Sequence, residues 1–434
     1  MPRINTHGAA AAALLVGAGL AHAPEARAGA IERVSVSSKG EQANEASFDP
    51  VISADGRYVA FMSYATNLVA TDTGGKRNIF VRDRQADQTA LVSVGMQGQP
   101  ANGESFFPDL SPDGRYLAFQ SDASNLVPGD GNGAQDVFVR DLVAGSTERV
   151  SVGAGGEADG DSWSASISSG GRYVAFTSTA TNLVGGDANG DFDVFVRDRK
   201  LGKTERVSTG LDGKAANGAS LLPAISANGR YVAFVSSATN LVPSGGNGWD
   251  QVYVRDRQTG KIELVTVSPK GHPGNGGVSG VWISGDGRYV VYSAQAGDLV
   301  KKDTNGKDDV FVHDRKLGTT DRVSVGAGGA QANGASDIGL GRAITQDGRY
   351  VTFESRATNL VATPSTFFVD VYVRDRVRGV TTRADGAPKS GEARPMAQEP
   401  SLSGHGDLVV FESDSNQLVP GDTNGWTDIF VRAR

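Results

Sequence analysis

One phrase returns along the whole chain and limits what it can fold into. Asp55-Gly56-Arg57-Tyr58-Val59-Ala60-Phe61 recurs as Asp113–Phe119, Gly170–Phe176, Asn228–Phe234, Asp286–Tyr292 and Asp347–Phe353. A worn copy runs from His405 through Gly406, Leu408 and Val409 to Phe411. The turn glycines stand at 56, 114, 171, 229, 287, 348 and 406, spaced by 58, 57, 58, 58, 61 and 58 residues. By length alone 434 residues suggest roughly three domains of ~150 residues. Self-similarity at a fixed period overrides that expectation and points to a repeat architecture.

Each unit carries four strand-like segments, in the second unit Ser105–Leu110, Arg115–Ser121, Asp136–Asp141 and Thr147–Val152. Four strands per unit make a propeller blade. Middle segments such as Tyr173-Val174-Ala175-Phe176 are apolar at consecutive positions, which requires a sheet covered on both faces. The 58 glycines and 38% hydrophobic residues fit many short strands joined by tight turns. The last unit stops at Phe430-Val431-Arg432, one strand short, while Ile31-Glu32-Arg33-Val34-Ser35-Val36 matches Thr147–Val152. The expected fold is therefore an all-β, seven-bladed propeller over residues 29–434, closed by the N-terminal strand. Closure leaves no open sheet edge for pairing, and a monomer is expected.

Arg3, a small apolar run from Ala9 to Leu20 and Ala26-Arg27-Ala28 read as a signal peptide over residues 1–28, so a periplasmic or secreted location is expected. The run is too short to span a membrane. Without cysteine, disulfides and thiol catalysis are excluded. A net charge of −7 argues against nucleic acid as a partner.

Strands two and three of each unit are joined on the same rim from which strand four leads into the next blade. That rim gathers a repeated polar set. One loop holds Asn67, Asn125, Asn182, Asn240 and Asn359, and its neighbour Asn44, Asn102, Asn217, Asn275 and Asn333, with Asp159 in the third unit. The first loop runs on into Asp-x-Asn-Gly-x-x-Asp: Asp130, Asn132, Asp136; Asp187, Asn189, Asp191, Asp193; Asp303, Asn305, Asp309; and Asp422, Asn424, Asp428. Alternating Asp and Asn around Gly can present oxygens to calcium, so these residues are the candidate metal ligands. The same residues equally suit long turns, where Asp and Asn side chains satisfy backbone donors. On the opposite rim, Asp83, Asp198, Asp256, Asp314 and Asp375 read as turn caps.

At Leu110-Ser111-Pro112-Asp113-Gly114-Arg115-Tyr116-Leu117-Ala118-Phe119-Gln120-Ser121 the chain resembles the TolB-like, WD-type propeller repeat of bacterial envelope proteins. The resemblance implies the propeller fold and a rim that binds a protein or cell-wall partner. Related oligogalacturonate lyases rely on metal-binding histidines, whereas His272, His313 and His405 sit at different places in their units.

Departures from the repeat, at His313, at His405 and in the stretch Arg394–Glu399, show no convergence in sequence. The expectation is a non-catalytic interaction module, with calcium as its one candidate cofactor and no enzymatic activity. The alternatives are a carbohydrate-binding, lectin-like propeller using Trp249 and Trp426, or a polysaccharide lyase.

Overall fold

A computed structural model describes residues 29–434 apart from 188, 364–367 and 387–394. The expected signal peptide and Arg394 lie outside the described residues.

Seven four-stranded antiparallel sheets follow one another around an axis. In the second blade the strands are Ser105–Leu110, Tyr116–Ser121, Asp136–Asp141 and Ser146–Arg149, within a few residues of the sequence expectation. Ile31–Arg33 pairs antiparallel with Asp428–Ala433, Glu32 opposite Val431, and so supplies the fourth strand of the seventh blade. Regular helix is confined to short 3-10 turns among the described residues. None of their helices is long and apolar enough to cross a membrane.

The middle strands are buried along most of their length, and throughout in Tyr58–Ser63 and Asn78–Asp83. In every blade an aromatic of the second strand stacks on one of the third, with centroids 5.6–6.0 Å apart. These pairs fill the space between neighbouring blades. The repeated Gly has its own reason: Gly229 has φ +71, and a Cβ there would lie 2.1 Å from the ring of Tyr173 in the preceding blade. The Tyr of one turn thus packs on the Gly of the next, and the phrase is read between blades as well as within them.

First strands line the axis. Each full-length one carries a bulge, and in blades 1, 2, 3, 4 and 7 the bulge holds Asp49, Phe107, Ser164, Leu222 and Glu399 at φ 46–53, where non-glycine residues are uncommon. Blade 6 departs, because its first strand is only Ser336–Asp337 and its longer spacing adds chain through Ile338-Gly339-Leu340-Gly341-Arg342.

Candidate functional site

The rim named by the sequence is built from side chains that bind one another. Asn102 Nδ2 donates to Ser124 Oγ at 2.9 Å, the Ser124 amide donates back to Asn102 Oδ1 at 2.8 Å, and the Asn102 amide donates to Asn125 Oδ1 at 2.9 Å. The same clasp joins Asn44 to Thr66 and Asn67, and Asn217 to Thr239 and Asn240.

The Asp-x-Asn loops converge on an arginine from the fourth strand. Arg149 Nη1 lies 3.1 Å from Asp130 and 3.2 Å from Asp136, while Asp136 also accepts from Ser151 Oγ at 2.5 Å and Asn132 Nδ2 at 2.9 Å. Asp187 and Asp193 share Arg206, Asp303 and Asp309 share Arg322, and Asp422 and Asp428 share Arg33. Asn189, Asn305 and Asn424 each bridge the last acid of their loop to a carbonyl of the next blade. Asp191 accepts from the Phe192 amide.

Comparison among blades explains the set. Blades 1 and 4 have Asn78 and Gln251 at the last acid, and Leu91 and Leu264 where the others carry Arg. Acid and arginine are present or absent together, as a buried ion pair requires. In the structure a guanidinium supplies a positive charge to these acids. Among the described residues no group of three or more His, Cys, Asp or Glu is arranged to hold a metal ion. Burial and the neighbouring Asp193 push Asp187 up to about 6.

On the opposite rim the turn-cap reading is half of the answer. Asp83 Oδ1 accepts from the Gln85 and Ala86 amides, and the carboxylate also takes a two-pronged contact from Arg57 at 2.9 and 2.6 Å. The arginine hydrogen bond holds Asp198, Asp256, Asp314 and Asp375 below the usual carboxylate range.

The axial channel is different. A cavity of about 210 Å³ is lined by the first strands of six blades and by the Gly339-Leu340-Gly341 segment of blade 6. Phe107, Pro108, Leu222, Pro223, Val281 and Trp282, from blades 2, 4 and 5, form an apolar wall. Asp49 and Glu399 face it from blades 1 and 7, and Leu340 enters from blade 6. Beyond, toward the Asp-Gly turns, Arg342 reaches across to donate to the Leu110 carbonyl at 3.0 Å beside Asp109 and a second cavity of about 30 Å³.

Behind the acidic wall stand Glu354 and Glu412. Glu412 Oε2 accepts from the Asp49 amide at 2.8 Å, and Glu354 Oε2 from the Glu399 amide at 2.9 Å. Glu399 Oε2 takes the Leu340 amide at 2.6 Å, and Asp337 takes Ser279 and Ser293. Desolvation first, then mutual repulsion, raises Asp49 to about 7 and Glu354 and Glu412 to about 8. Arg77 draws Asp49 partly back while paired with Glu104 at 2.8 Å. Strongly raised carboxyls beside a cavity mark a candidate site.

The sequence reading missed these residues, although the signal was present. The position before the final Ser of the second strand reads Met62, Gln120, Thr177, Val235, Ser293, Glu354 and Glu412, and the sixth spacing is 61. Of the departures noted earlier, Glu399 lines the channel, whereas His313 binds Thr320 Oγ1 at the outer strand and His405 is exposed.

No protein-family model matches the sequence, and comparison with curated proteins finds no relative. Among solved structures the chain is similar to an oligogalacturonate lyase in complex with manganese, with 13% identity, TM-score 0.56, and 94% of this chain and 95% of that one covered. An acylaminoacyl peptidase from Pyrococcus horikoshii matches at 13% identity and TM-score 0.50 over 86% of this chain and 49% of that one, so this chain spans about half of its length. A putative TolB from Agrobacterium tumefaciens matches at 18% identity and TM-score 0.40 over 64% and 80%. The first two likenesses show the propeller fold. They also correct the expectation that the chain is not an enzyme: propellers of enzymes share the architecture, so the fold gives no ground for excluding catalysis.

Proposed function

We propose that the protein is an exported binding propeller, which holds a protein or cell-envelope partner at its axial cavity. The observation that supports this reading is the break in repeat symmetry there. Apolar and acidic walls face each other across about 210 Å³, while the polar groups of the rim are largely engaged with one another. Affinity capture from an envelope extract tests it. Leu340→Trp, in the exposed loop that enters the cavity, should abolish retention of a partner held by the wild-type protein, with the melt unchanged. Equal retention by both would remove the channel from the reading.

A second reading has its own observation. Trp249 and Trp426, 57% and 45% exposed, occupy equivalent places in the loops of blades 4 and 7 and suit stacking on a sugar. Loss of retention in Trp249→Ala/Trp426→Ala, with Leu340→Trp unaffected, would favour a glycan on the rim.

A further inference from the structure

Taking the channel as the binding site, we propose that its cavity accepts a small organic cation: an apolar body the size of a substituted benzene ring carrying one ammonium group. A cavity of 150 Å³ lined by apolar side chains takes benzene, and this one is about 210 Å³. Phe107, Leu222 and Trp282 can cover the body, and an aromatic face also attracts a cation. The charge belongs opposite, against Asp49 and Glu399.

Two observations besides the acids themselves point to a ligand. Asp49 Oδ2 is shut from solvent and has no hydrogen-bond partner, although Asp49 lines the cavity. A carboxylate oxygen left so is destabilising unless something donates to it. Second, the chain contains its own neutral counterpart. In blade 2 Gln120 Oε1 accepts the Ser164 amide at 2.9 Å, the same bond that Glu412 makes to Asp49 and Glu354 to Glu399. Holding the bulge therefore needs an oxygen and no charge. Of the acids that line the cavity, Asp49 and Glu399 stand in the adjoining blades 1 and 7, backed by Glu412 and Glu354, whereas Asp109 of blade 2 has Arg342 beside it. The nearby cations are placed elsewhere: Arg77 is paired with Glu104, and Arg342 lies on the far side beside Asp109.

Calorimetric titration of the whole protein with three probes of one shape tests the inference: phenethylammonium, 2-phenylethanol and 3-phenylpropionate. The ammonium compound should bind at least tenfold more tightly than the alcohol, and the carboxylate should give no binding heat. Asp49→Asn should reduce that preference to less than threefold, and Glu399→Gln, which keeps an oxygen for the Leu340 amide, should reduce it in the same direction with an unchanged melt. Equal binding of ammonium and alcohol would overturn the cation and leave the cavity as a site. Absence of heat from all three would overturn the cation, while the channel reading stands or falls with the capture by Leu340→Trp.

Discussion

The rim and the channel are made from the same seven units, yet they treat charge in opposite ways. On the rim the buried acid pairs of blades 2, 3, 5 and 7 each share an arginine, and where the last acid is absent the arginine is absent too, as Gln251 and Leu264 illustrate. In the channel Asp49, Glu399, Glu354 and Glu412 repel one another around a cavity. Duplication copies a structural solution into each blade. A binding site has to be made once, so it lies where the copies differ.

The largest effect expected from breaking this comparison is on the rim. Arg149→Leu would leave Asp130 and Asp136 buried without their partner, the three side chains being only 9%, 5% and 1% exposed. Breaking a buried pair from one side destabilises by about 3 kcal/mol, or roughly 4 °C in Tm for a chain this long at ~2.1 cal/mol/K per residue. Converting the whole set to that of blade 4, Asp130→Gly with Asp136→Gln and Arg149→Leu, should recover most of the loss in the same melt. Excess calcium then discriminates the two readings of these loops. A higher Tm for the wild-type protein in calcium than in chelator would mean that metal competes with the guanidinium, and an unchanged Tm would leave the arginine as the counter-charge.

Next in size is the pH dependence of stability, in which the two regions act at different ends of the scale. Glu354 and Glu412 titrate near 8 in the folded protein against an ordinary 4.5, so the folded state keeps protons that the unfolded chain has released. Their contribution is fully present below about pH 4.5 and is lost as pH rises toward 8. Asp49, Glu399 and Asp337 add repulsion in the same direction, and Arg77 opposes it. Asp198 and Asp314, depressed by their arginines, do the reverse: they stabilise above the ordinary value of 3.8 and lose that contribution as pH falls below it. Glu412→Gln, which places in blade 7 the residue that blade 2 has at Gln120, should therefore raise Tm at pH 8 by a degree or more and leave it unchanged at pH 5. Thermal melts across that range check it, and an equal fall at both pH values would show that the charge is needed for folding.

The propeller was legible because a fold built from copies writes its period into the chain. The Gly-Tyr contact between successive turns, as at Gly229 and Tyr173, holds each blade to the same phrase. Closure by Ile31–Arg33 was legible for the same reason, as a displaced copy of Thr147–Val152. The channel was not. Asp49 and Glu412 are 363 residues apart and meet only because the ring closes. A Glu in place of Met62 or Gln120 reads as drift until the axis is known to lie beside it. The rim acids were legible only in part. Their spacing was visible, but Arg149 stands 13 residues beyond Asp136 and becomes its partner only through the pairing of the third and fourth strands.

The smallest effect is the most pointed. Asn102→Ala removes the side-chain hydrogen bonds with Ser124 at an exposed position, which should lower stability by about 1 kcal/mol. Because the clasp is local, the Ser124 amide should exchange with solvent faster while amides of Tyr116–Ser121 keep their protection. If the rim is structural and the channel binds, this variant captures its partner as the wild-type protein does. A variant that folds, melts within about a degree of wild type and yet loses the partner would reverse the comparison. Repetition itself would then be the recognition device, with the repeated clasps reading a ligand that has its own period.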